Sequence, residues 1–121
     1  MKCENKYSIV PLKMIRIVKG LKVSEMAIYF ECSQALLSSI ESETISMYPQ
    51  TLIKGLKKLG ITFEDYEELV DFRNNLYDIQ INDEDKYKYM LIKTIGILLP
   101  NEKDKLNEFL DTTLCKNSKK I

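Results

Sequence analysis

From Leu12 onward the apolar positions Leu12, Ile15, Ile17 and Val18 follow a helical repeat, and it stops at Gly20, a residue suited to the left-handed position just past a helix. Lys22-Val23-Ser24-Glu25 opens a second helix with Met26, Ala27 and Phe30 on one side, and it ends near Glu31-Cys32-Ser33. Ser33 suits the N-cap of a third helix, in which Leu37 and Ile40 face inward while Gln34, Ala35, Ser38 and Ser39 face out. After a loop over 42–48, Pro49 stands in the first turn of a fourth helix carrying Leu52, Ile53, Leu56 and Leu59, closed at Gly60. Thr62 caps a fifth, where Glu64, Asp65, Glu67 and Glu68 suit the positive end of the helix dipole.

The pattern then weakens. Asn74 to Asp83 is polar and reads as a linker, although Tyr77, Ile79 and Ile81 alternate with polar residues as a short extended segment would. Two more amphipathic helices follow, separated by Pro100, the first with Tyr87, Met90, Leu91, Ile95 and Leu98, the second with Leu106, Phe109, Leu110 and Leu114. The expected division is a front domain over 1–73, a linker over 74–83, a helical hairpin over 84–115 and a basic tail over 116–121.

Composition supports this reading. With 45% apolar and 30% charged residues but only 4 Gly and 3 Pro in 121 residues, long helices suit the chain better than short strands joined by tight turns, so the expected class is all-α. The apolar run Ile95 to Leu99 is far shorter than the roughly 20 residues of a membrane span, and no basic segment followed by an apolar one opens the chain. A cytoplasmic location is therefore expected. Cys3, Cys32 and Cys115 are widely spaced and histidine is absent, so neither a zinc site nor any other cofactor is expected. Without histidine, a phosphate loop or a paired nucleophile and base, the sequence does not read as an enzyme. The net charge is zero but unevenly placed: residues 1–62 carry nine Lys or Arg against five acids, and residues 63–121 carry nine against thirteen. A basic front suits a protein that presents one face to nucleic acid.

Residues 11–69 resemble the lambda-repressor-like domain of the Cro/CI (Xre) family, aligning without a gap through Gly20-Leu21, Glu25-Met26-Ala27, Ser33, Leu37-Ser38, Ile40-Glu41, Thr51-Leu52 and Leu59-Gly60. The resemblance implies a five-helix helix-turn-helix domain, followed here by a C-terminal two-helix hairpin. It further implies a sequence-specific DNA-binding transcriptional regulator, a repressor rather than an activator. The third helix would enter the major groove, with Ser33 at a phosphate and Gln34, Ala35, Leu36, Ser38 and Ser39 towards the bases. Lys22 and Thr44 would lie at the backbone. Arg16 and Glu41 occupy the positions of a structural ion pair. The chain departs from the family after Glu41, where basic residues and a glycine are usual and Ser42, Glu43, Thr44 and Ile45 stand instead.

A hairpin over 84–115 is too small to make its own core. The expectation is a homodimer formed through Tyr87, Met90, Leu91, Ile95, Leu106, Phe109 and Leu110, a plan similar to that of Sin-type regulators, with folding back on the front domain as the other outcome. The alternative function is a protein-interaction module, such as an anti-repressor, inhibitor or antitoxin, in which the hairpin meets a protein partner and DNA binding is weak or lost. The absence of Lys, Arg and His from the third helix favours that alternative.

Overall fold

A computed structural model describes residues 8–42 and 45–117, with side chains up to Leu114. Among the described residues the chain is all-α, with no strand: α1 (Pro11–Lys19), α2 (Val23–Tyr29), α3 (Gln34–Glu41), α4 (Pro49–Lys58), α5 (Phe63–Leu76), α6 (Asp83–Leu98) and α7 (Lys103–Asn117), with a 3-10 turn at Pro100–Glu102. No helix of the described residues is long and apolar enough to cross a membrane.

Local chemistry sets most of the helix ends. Gly20 and Gly60 lie at φ 71° and 79°, where a side chain is strained, and both close their helices in the same way. The Leu21 N–H donates to Arg16 O at 3.0 Å, as the Ile61 N–H does to Leu56 O at 2.9 Å, so orphan carbonyls are satisfied. At the other ends, Thr62 Oγ1 accepts from the Asp65 N–H at 3.0 Å and Asn82 Oδ1 from the Asp85 N–H at 2.8 Å.

One continuous apolar cluster runs through the molecule, taking Met14 and Ile15 from α1, Met26 from α2, Leu37 from α3, Leu56 from α4, Leu69 and Leu76 from α5, and Met90 and Ile97 from α6. Helix α6 lies against both α1 and α5, and α7 covers α6. The passage expected to be a linker is therefore part of this body. Residues 74–76 continue α5 as far as the fully buried Leu76, and Ile79 and Ile81 pack against the core. Their alternation fastens a turn to the core instead of forming a strand.

The expected dimer interface needs the same correction. Met90 and Leu110 are buried within the chain, so they present no surface to a second copy. Tyr87 and Leu91 are half-buried against the same core, Ile95 and Leu106 are half-buried, and Phe109 is half exposed. The physical cause is area: α6 carries apolar residues on too broad a face to leave its inner side in water while α1 and α5 offer a matching surface.

A polar clasp holds the rear helices to the front. Glu68 of α5 accepts from Lys93 Nζ at 2.6 Å and from Lys103 Nζ at 3.0 Å, and Lys93 also donates to Asn107 Oδ1 at 3.0 Å. Lys103 further lies 3.6 Å from Asp65. Burial by itself raises the Glu68 carboxyl, but the hydrogen bonds from the two lysines outweigh it and hold the group below its ordinary value. The Lys103 ammonium is correspondingly held above its own, chiefly by its hydrogen bond to Glu68.

Candidate nucleic-acid interface

Helices α2 and α3 pack against one another, and α4 lies against α2. At the start of α2 the Lys22 backbone N–H donates to Glu25 Oε1 at 2.7 Å, and Lys22 itself is exposed. The turn that follows places Glu31 at φ 52°, a left-handed conformation uncommon for a residue with a side chain. It lets the Cys32 N–H reach back to Ala27 O at 3.0 Å and reverses the chain into α3. The Glu31 carboxylate meets Lys58 Nζ; that hydrogen bond, aided by the charges of Lys58 and Lys54, lowers its pKa. Lys54 and Lys58 thus stand near the α2–α3 turn, and Lys58 is already engaged.

Ser33 caps α3, its Oγ accepting from the Leu36 N–H at 3.0 Å. The hydroxyl proton remains available to donate outward, and the first-turn amides point the same way. Of the residues expected at DNA, Lys22, Ser33, Gln34, Ala35 and Ser38 are exposed, and Ser39 is half-buried. Leu36 is different: it is half-buried and packs against the core. Leu37 and Ile40 are buried. Thr44 and its neighbour Glu43 lie outside the described residues, as do Cys3 and the chain from Ser118. Residues 116 and 117, expected in the tail, belong to α7.

Arg16 and Glu41 form a forked ion pair. Arg16 Nε donates to Glu41 Oε2 at 2.7 Å and Nη2 to Oε1 at 3.0 Å, with the side chains 17% and 10% exposed. Arg16 Nη1 also donates to Leu21 O at 3.1 Å, so one guanidinium ties α1, the turn after it and the end of α3.

Electrostatics around α3 are sparse. Residues 23–53 contain no Lys, Arg or His, and the cations that flank them are Lys19, Lys22, Lys54 and Lys57, all exposed, together with Lys58. Cys32 is half-buried and burial pushes its thiol up, so it stays protonated and weakly nucleophilic. Among the described residues no group of three or more Cys, Asp or Glu is arranged to hold a metal ion.

Two features had no local signal in the sequence. The first is Gly55 of α4, whose backbone lies directly against the Phe30 ring. The second is a cavity of about 390 Å³ below the end of α3, bounded by the start of α1, by residues 45–47, by α4 and by α5. Arg73 and Tyr66 line it, and Arg73 Nε is buried with no hydrogen-bond partner. Burial raises the Tyr66 hydroxyl, keeping it a proton donor. A second, wider groove of about 740 Å³ runs between α1, α4 and α6, walled by Ile17, Leu21, Tyr29, Leu59, Leu91 and Ile95. Comparison with protein-family models, with curated proteins and with solved structures finds no match to this chain.

Proposed function

We propose that the chain is a sequence-specific DNA-binding transcriptional regulator of lambda-repressor-like plan, α1 to α5 forming the helix-turn-helix domain and α3 its reading helix. The observation that carries this reading is the division of α3 into two sides. Leu37, Ile40 and Glu41 are bound into the fold, while the Ser33-capped N-terminus, Gln34, Ala35 and Ser38 face solvent. Ser33 and the first amides would meet a phosphate, Gln34 an adenine edge, and Ala35 a thymine methyl. Leu36, packed on the core, drops out of the base-reading set. The regulator acts in the cytoplasm as a repressor, binding its operator as a homodimer joined through the outer side of α6 and α7, where Phe109 remains half exposed. Two copies double a contact that is weak in one.

A second reading has its own support. Because residues 23–53 lack any cation, phosphate neutralisation by α3 itself is small, and a protein-interaction module such as an anti-repressor, inhibitor or antitoxin needs none.

Fluorescence anisotropy with a random duplex, repeated across salt concentrations, separates the two. The regulator binds at low salt and weakens along a shallow slope, since few phosphates are neutralised. No binding at low salt would sink the DNA reading and leave the interaction module. On a duplex selected by the protein, Gln34→Ala costs about 1–3 kcal/mol and on random DNA almost nothing. Sedimentation equilibrium reads the dimer, and Phe109→Glu shifts it to monomer.

A further inference from the structure

Arg73 is held in an unusual state for a guanidinium. Its Nε–H is buried without an acceptor, its Nη2 makes only a long 3.5 Å contact to Asn74 Oδ1, and the Tyr77 ring lies 5.9 Å away. No carboxylate of the described residues lies within ion-pairing distance of it. Buried donors of this kind are rare in folded proteins. A lysine in the same place can shed its proton, but arginine cannot, so the charge persists and calls for an anion.

The surroundings say which anion. Beside Arg73 the cavity wall holds Tyr66, a second donor, and Ser46, while Ile40, Met47, Leu52 and Val70 supply apolar surface. A volume of about 390 Å³ lies within the range of small-molecule sites, which combine apolar walls with a few convergent polar groups. We infer that this cavity binds a small monoanionic carboxylate with an apolar body, its head on the Arg73 guanidinium and the Tyr66 hydroxyl, its tail against Ile40, Met47, Leu52 and Val70. One guanidinium with neutral hydroxyls beside it matches a single negative charge, whereas a phosphate dianion would be left undercompensated by a single cation. The occupant would touch Ile40 in the last turn of α3 and Met47 in the segment leading to α4. Binding there is independent of whether α3 meets DNA.

Titration of the full chain with octanoate, followed by methyl NMR, tests the site. Octanoate shifts Ile40, Met47, Leu52 and Val70 saturably, and 1-octanol and octylamine bind at least about tenfold more weakly, because neither can accept the charge-assisted hydrogen bond as an anion. Arg73→Met removes the preference for octanoate over octanol, and Val70→Phe, which fills the cavity, blocks both. Three results overturn the assignment: no saturable shift up to millimolar octanoate, equal affinity for octanoate and octanol, or shifts centred on Ile17, Leu91 and Ile95 in the wider groove. Should Arg73→Met fail to fold, the octanoate and octanol comparison on the unsubstituted chain decides by itself.

Discussion

Gly55 of α4 lies so close to Phe30 that a methyl group on its Cα would stand 2.1 Å from the ring Cδ2 and 2.4 Å from Cγ. Phe30 is 2% exposed and its ring has no room to withdraw, so the contact sets how near α4 can approach the end of α2. Ordinary helix propensity would favour alanine at position 55 by about 1 kcal/mol. The clash reverses that sign. Gly55→Ala should lower stability by about 1–3 kcal/mol in urea denaturation, and Phe30→Leu in the same chain should recover part of the loss.

The Arg16–Glu41 pair leads to a second expectation. Both side chains are mostly withdrawn from water, so deleting one leaves the other charged and unpaired. Arg16→Met or Glu41→Met alone should cost about 3 kcal/mol, and the double replacement Arg16→Met with Glu41→Met less than the sum of the two. Additive losses in a double-mutant cycle would show that the two residues do not act as a pair.

Acid should loosen the rear of the molecule through Glu68. Its carboxyl titrates below the ordinary carboxylate value of about 4.3 in the folded chain, so the clasp stabilises fully above that value. The contribution is lost as pH falls from there through the folded-state value. Lys103 acts at the opposite end: held above its ordinary value of about 10.4, it stabilises fully below that and loses its part as pH rises through the folded-state value. Glu68→Gln should flatten both limbs of a plot of urea midpoint against pH, while Glu84→Gln, on an exposed helix pair, should leave them unchanged.

Removing residues 83–121 should not release a folded front domain. Met90 and Ile97 share one core with Met14, Leu69 and Leu76, and each contributes about 1.5–3 kcal/mol by burial. The fragment 1–82 should unfold without a cooperative urea transition and lose amide dispersion by NMR. A well-dispersed, cooperatively unfolding fragment would mean that α1 to α5 are complete without α6.

What was legible in the sequence is what acts over a few residues. The apolar repeat, Gly20 and Gly60 past their helices, Ser33, Thr62 and Pro49 at helix starts each work through neighbouring backbone groups, and they account for α1 to α5 and for the outward face of Gln34, Ala35 and Ser38. Periodicity tells which face of a helix is apolar but not what it will meet. Only tertiary packing decided that α6 turns its Met90 and Ile97 onto α1 and α5, that Leu76, Ile79 and Ile81 close a turn onto the core, and that Gly55 admits Phe30. The same holds for Arg73, which in sequence is one charge on an acidic helix and in the fold is a buried donor at a cavity, because its isolation depends on four other segments arriving around it.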